Sequence, residues 1–265
     1  MPDPFDPRVG GILSADIAVP QHERVVRFYA RVLSTGNSPL WREDLMNNLG
    51  IPVIGAGPQS AEYADLPIAW MPHIQVDDVA GSVKRALDLG GREFAHAKGD
   101  DGTSQWAVLF DPDGAAFGLI PVVSRDDVPL TEDSLSHDGA ASIGCISWVD
   151  LTVADASTSR DFYQQVVGWS VKHVEMEDTG ERYADYNMIG GDGNPAAGIC
   201  HARGANAGLP PVWMLYLSVG DIAESVRRVQ EEGGKIIKQT TGTDGKFTYA
   251  VIQDPVGACL ALVPG

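Results

Sequence analysis

Asp111-Pro-Asp-Gly-Ala-Ala-Phe-Gly-Leu-Ile120 returns 143 residues later as Asp254-Pro-Val-Gly-Ala-Cys-Leu-Ala-Leu-Val263. An apolar run precedes each copy, Trp106-Ala-Val-Leu-Phe110 in one and Tyr249-Ala-Val-Ile252 in the other. The Pro presets φ early in a turn and the Gly accepts a positive φ two residues on, so each stretch predicts strand, tight turn, strand. Alternation places residues 116, 118 and 120 on one face of the second arm, and 259, 261 and 263 in the other copy. Those positions hold Ala, Gly, Ile and Cys, Ala, Val, none with a strong oxygen or nitrogen ligand.

Working outward, the offset of 143 also relates Pro52 to Pro195, Gly55 to Gly198, Trp70 to Trp213, Val76 to Val219 and Gly90-Gly91 to Gly233-Gly234. Phe28-Tyr29 and Phe162-Tyr163 lie only 134 apart, so the second copy carries nine extra residues before Pro195. There Trp169 to Glu175 and Tyr183 to Ile189 read as two full meander strands. The first copy has only Pro39-Leu-Trp-Arg-Glu-Asp-Leu-Met46, which predicts a shortened or irregular second strand.

Each copy opens on a strand, Gly11 to Val19 or Ile146 to Val153. A helix follows, with Val25, Val26, Phe28, Tyr29, Val32 and Leu33, or Phe162, Tyr163, Val166 and Val167, at helical spacing. Asp155 is placed to cap the second of these helices, and Asp77 or Asp78 and Asp221 the later ones, which end at the Gly-Gly pairs. The pattern in each half is β-α-β-β-β, twice.

Composition narrows the partners. Lys and Arg number 19 against 36 Asp and Glu, and the net charge of −17 repels phosphate backbones and anionic membrane surfaces. No apolar run approaches the ~18 residues of a spanning helix, and the start Met1-Pro-Asp-Pro-Phe lacks a signal-peptide pattern, so a cytoplasmic protein is expected. Cys145, Cys200 and Cys259 are odd in number and widely spaced, which predicts buried free thiols rather than disulfides or structural zinc. The domain reading is 1–122, an acidic linker 123–142, and 143–265. Because the duplication supplies an internal pseudo-symmetry, a monomer is expected, with a homodimer as the alternative.

A strand containing Asp-hydrophobic-x-Val, a helix with Phe-Tyr, a Gly-Gly helix end and a closing Asp-Pro-x-Gly hairpin together resemble the vicinal oxygen chelate superfamily. That group includes glyoxalase I, extradiol dioxygenases and bleomycin-resistance proteins. Trp148-Val-Asp-Leu-Thr-Val153 with Phe162-Tyr163 and Gly168-Trp169 is similar to its tandem bacterial members. The resemblance implies an α+β fold in which paired modules curl a mixed sheet around a cup.

It also implies where a divalent metal would be held. The family's ligand positions fall on Ser14, Met71 and Gly118 in the first copy and on Trp148, Met214 and Ala261 in the second, and none suits zinc, iron or manganese. No cofactor is therefore expected. A displaced set, Asp16 with His73 two residues along their strands, is the alternative should a divalent metal be used. His201 is read as a surface histidine.

The expected ligand pocket comprises Asp16, Met71, His73, Trp106, Trp148, Asp150, Met214 and Tyr216, an aromatic and methionine lining with one or two carboxylates. Such a lining suits an apolar or cationic small organic molecule. Core filling is the competing reading for Met71, Met214, Trp70 and Trp213. The leading expectation is a small-molecule-binding protein of the glyoxalase/bleomycin-resistance type. The alternative is a metal-dependent lyase, isomerase or ring-cleaving dioxygenase.

Overall fold

The computed structural model describes residues 7–34, 41, 42, 45–48, 51–124, 146–243 and 245–265. The first module is β1 (Ile12–Val19), α1 (His22–Leu33), β2 (Trp41–Arg42), β3 (Leu45–Asn48) and β4 (Ile51–Pro58). The second is β5 (Met71–Val76), α2 (Val79–Asp88), β6 (Arg92–Lys98), β7 (Ser104–Phe110) and β8 (Ala116–Pro121). The third is β9 (Ile146–Val153), α3 (Ala156–Val167), β10 (Ser170–Asp178), β11 (Glu181–Ile189) and β12 (Pro195–His201). The fourth is β13 (Trp213–Val219), α4 (Ile222–Glu231), β14 (Lys235–Thr241), β15 (Phe247–Gln253) and β16 (Cys259–Pro264).

Two eight-stranded mixed sheets result, ordered β2-β3-β4-β1-β5-β8-β7-β6 and β10-β11-β12-β9-β13-β16-β15-β14. The expected α+β class is what the chain adopts. Among the described residues β2 has two residues and β3 four, against nine each in β10 and β11, while positions 39, 40, 43 and 44 of the stretch expected to form a shortened strand lie outside them. Of the linker 123–142, everything beyond Ser124 lies outside the described residues, as does Cys145.

Local chemistry sets the helix ends. The Asp155 carboxylate accepts from the Ser157 and Thr158 amides, Asp78 from Gly81 and Asp221 from Glu224, each satisfying N–H groups that a helix start leaves unpaired. Gly90 and Gly233 stop α2 and α4 at φ of 88° and 82°. The first helix differs: Gln21, at φ 55°, occupies its N-cap without a side-chain bond.

Compactness groups the modules crosswise. One unit holds Met1–Leu13, Met71–Asp127 and Trp148–Trp213, hence the second and third modules; the other holds Ser14–Trp70, Val128–Ser147 and Met214–Gly265, hence the first and fourth. Each unit has its own buried centre.

In the first unit the fully buried Tyr163 of α3 donates to Asp111 Oδ2 at 3.1 Å and accepts from Trp213 Nε1 at 3.0 Å. Phe117 meets Phe162 and Tyr163 edge-on, at 6.1 and 5.1 Å between ring centres. Residues 9–11 bind the same unit: Gly10 N donates to Gln75 O and Gln75 N to Gly11 O, while Gly191 N donates to Val9 O. Trp169 Nε1 closes on Gly10 O at 2.9 Å, and a Cβ at Gly10 would lie 2.2 Å from that nitrogen, so glycine is required there.

The second unit repeats the arrangement. Tyr29 donates to Asp254 Oδ2 at 3.1 Å and accepts from Trp70 Nε1 at 3.3 Å. Arg228 of α4 donates to the carbonyls of Arg31 and Ser34 at the end of α1. Trp70 and Trp213, each 1% exposed, are core residues and no part of a ligand lining.

Candidate functional site

On every opening strand the helix-facing residues are apolar and buried: Ala15, Ile17 and Val19 on β1, Val149, Leu151 and Val153 on β9. Alternation then turns Asp16, Trp148 and Asp150 to the opposite face. The third module builds the best-defined constellation there. Asp150 lies opposite Gly198 of β12, and Gly198 opposite Asn187 of β11. Trp148 Nε1 donates to Asp150 Oδ1 at 2.6 Å, a charge-assisted bond that fixes both side chains.

Gly198 makes that bond possible. A Cβ on Gly198 would sit 2.0 Å from Asp150 Oδ1 and 3.4 Å from Trp148 Nε1. The carboxylate therefore lies flat across the neighbouring strand.

One step further along the same face stand Thr152, Cys200 and Asp185. Burial first, then the carboxylates of Asp150 and Asp185, push the Cys200 thiol above its ordinary range, a shift that disfavours the thiolate. Cys259 is likewise raised by burial. Asp185, 4% exposed, accepts from the His201 amide at 2.8 Å and pairs with His201 Nδ1 at 3.1 Å. His201 is thus half-buried and anchored to a buried carboxylate, which corrects its reading as a surface residue.

The second module places Met71 and His73 on the corresponding face of β5. His73 lies opposite Gly118 of β8, and Gly118 opposite Val108 of β7, which sets Trp106 on that face too. Trp106 is 43% exposed. In the other unit Asp16 stands exposed opposite Gly55, Tyr216 is half-buried opposite Ala261, and Met214 is buried at 3% exposure. Trp148 and Asp150 are thus joined directly, and Met71, His73 and Trp106 share one face; Asp16, Met214 and Tyr216 belong to the other compact unit.

The residues at the family's metal positions do not fit a metal. Gly118 carries no donor, and a Cβ there would already lie 2.8 Å from Cδ2 of the His73 ring, so that ring fills the space a ligating side chain would cross. Its counterpart Ala261 is fully buried beside Tyr216. Met71 and Met214 offer thioethers, poor partners for zinc, iron or manganese. Among the described residues, no three His, Cys, Asp or Glu side chains group as a metal site, and no helix is long and apolar enough to cross a membrane.

Comparison with known proteins agrees with the fold. Residues 145–262 match the family model of the Glyoxalase/Bleomycin resistance protein/Dioxygenase superfamily, and residues 14–120 match a glyoxalase-like domain. The chain belongs to this superfamily, the vicinal oxygen chelate group. Among its relatives is CFP32 of Mycobacterium tuberculosis, named as a glyoxylase, 24% identical over 86% of this chain and 81% of the relative. The anthracycline biosynthesis protein DauV of Streptomyces sp. (strain C5) is 26% identical over 78% of this chain and 69% of DauV.

Solved structures share the fold. An extradiol ring-cleaving dioxygenase from B. fuscum superposes with a TM-score of 0.59 at 15% identity, covering 98% of this chain and 72% of that one. The 2,2',3-trihydroxybiphenyl 1,2-dioxygenase of Sphingomonas wittichii gives 0.56 at 17% identity, covering 98% and 91%.

The constellation of Asp185, His201 and Gly198 was absent from the expected pocket. Gly198 was visible only as a repeat partner of Gly55, and the signal for its role was its register opposite Asp150. For Asp185 the sequence offered nothing beyond an acidic residue in a strand.

Proposed function

We propose that this chain binds a small organic molecule of planar aromatic and cationic character, without the metal triad of its superfamily. The observation that carries this reading is the Trp148–Asp150 pair at 2.6 Å, laid over Gly198 where the family's first-strand ligand position holds an indole. The indole offers a stacking face and a quadrupole, and the carboxylate offers a counter-charge held in place. Met71, His73 and Trp106, in the same compact unit, are the further residues of this pocket, and Asp16, Met214 and Tyr216 are proposed for a second pocket in the other unit.

An anthracycline combines a planar aromatic system with a cationic amino sugar, and DauV and a second relative, DnrV of Streptomyces peucetius, take their names from anthracycline biosynthesis. Anthracycline-type polyketides are therefore the ligand class to test first. Titration of doxorubicin with the purified protein, read by quenching of the drug's fluorescence, is expected to give saturable binding weakened at least tenfold by Asp150→Asn and by Trp148→Leu. Equal binding by wild type and both variants would overturn the assignment of this site.

A further inference from the structure

On a regular strand, residues three apart face opposite sides, so Glu93 and His96 of β6 should point apart. They do not. The ladder between β6 and β7 slips twice, between Glu93 and Ala95 and between Ala97 and Lys98. Each slip inserts an unpaired residue and re-aims the side chains beyond it. The result is a continuous chain of contacts: Glu93 Oε2 lies 3.3 Å from His96 Nδ1, and His96 Nε2 lies 2.8 Å from Ser104 Oγ. With its proton on Nδ1, the imidazole donates to Glu93 and presents the Nε2 lone pair to the Ser104 hydroxyl, which donates.

The fourth module provides an internal comparison. Its β14–β15 ladder slips at matching places, between Ile236 and Lys238 and between Thr240 and Thr241. The residues 143 places on from Glu93, His96 and Ser104 are Ile236, Gln239 and Phe247. The fold thus supplies the bulges in both copies, and only the first fills them with carboxylate, imidazole and hydroxyl.

We propose that Ser104, His96 and Glu93 form a nucleophilic relay for acyl transfer from small carboxylic esters, at a site separate from the Trp148–Asp150 pair. Ser104 Oγ forms a bond to the ester carbonyl carbon as His96 Nε2 takes the hydroxyl proton, and Glu93 holds the imidazolium through Nδ1. The carbon–oxygen bond to the alcohol breaks and His96 returns the proton to the departing alkoxide. Water, giving its proton to the same imidazole, then bonds to the acyl carbon, the bond from that carbon to Ser104 Oγ breaks, and His96 returns the proton to Oγ, releasing the acid and restoring Ser104. Ser104 is half-buried and the His96 side chain is 11% exposed.

The test is covalent labelling of the intact protein with an alkyl fluorophosphonate, mapped by peptide mass spectrometry. Labelling at Ser104 is expected, abolished by Ser104→Ala and slowed about a hundredfold by His96→Gln, the scale of general-base assistance. In a Ser104→Cys protein, alkylation by iodoacetamide should slow by a similar factor when His96→Gln is added, a second reading that does not depend on the serine. Absence of label at Ser104 in folded wild type, or rates indifferent to His96 in both assays, would overturn the relay.

Discussion

The Tyr163 hydroxyl donates to Asp111 Oδ2 at 3.1 Å, joining a helix of the second copy to the turn of the first copy's hairpin. The other oxygen of Asp111 accepts from the amides of Asp113 and Ala115, so one carboxylate both shapes the turn and holds the helix. Tyr29 and Asp254 repeat the relationship, with Asp254 Oδ1 accepting from Val256, Gly257 and Ala258. Removing either phenol leaves a buried carboxylate oxygen and a buried indole N–H without their partner. Tyr163→Phe and Tyr29→Phe are each expected to lower unfolding free energy by about 1–3 kcal/mol in chemical denaturation. A loss of less than half a kcal/mol in both would show the bonds to be incidental.

The same carboxylates make stability depend on pH in an unusual direction. Burial raises the Asp111 and Asp254 carboxyls above their ordinary value of 3.8, against the lowering effect of the turn amides. A raised folded-state pKa means that the native chain holds these protons more firmly than the unfolded one. Their contribution is complete below pH 3.8 and is lost as pH rises through the raised values. Asp155, held at about 2 by its bonds to Ser157 and Thr158, acts oppositely: its contribution is present above its ordinary pKa and is lost as pH falls toward 2. The stability difference between wild type and Asp111→Asn should therefore shrink as pH rises above the ordinary value of 3.8, and the difference for Asp155→Asn should shrink as pH falls from that value toward 2. Denaturant melts at fixed ionic strength measure both.

Gly198 is predicted to govern the Trp148–Asp150 pair. In Gly198→Ala the new methyl would overlap Asp150 Oδ1, and the carboxylate, at the far end of its side chain, would have to swing aside and strain its bond to Trp148. The stability cost should sit at the low end of the about 1–3 kcal/mol typical of overpacking. Doxorubicin binding should fall with it, and indole emission from Trp148 should shift. Unchanged binding in a folded Gly198→Ala protein would separate the pair from ligand recognition.

Much of this fold was legible because a duplication writes the same local rules twice: the Pro-x-Gly turns, the Asp caps, the Gly-Gly stops and the Phe-Tyr helices all fall where their chemistry predicts. The crosswise grouping of the modules was not. A repeat shows which segments are alike, while the packing of Tyr163 on Asp111 depends on surfaces that only the folded chain brings together. The Trp148–Asp150 contact could be anticipated as two same-face residues on β9, but its fixation depends on the bare strand at Gly198. Glu93, His96 and Ser104 were hidden for a sharper reason: strand periodicity sets Glu93 and His96 on opposite faces, and bulges leave no reliable trace in a single sequence.

Metal content is the sharpest measure of the proposal that the Trp148–Asp150 pair stands in place of metal chelation. Protein purified without a metal-affinity tag, loaded with zinc, iron(II) or manganese and then desalted, should retain well below one equivalent by elemental analysis and should bind doxorubicin equally before and after chelator treatment. Retention of one equivalent, lost on Asp16→Ala or His73→Ala, would contradict the account.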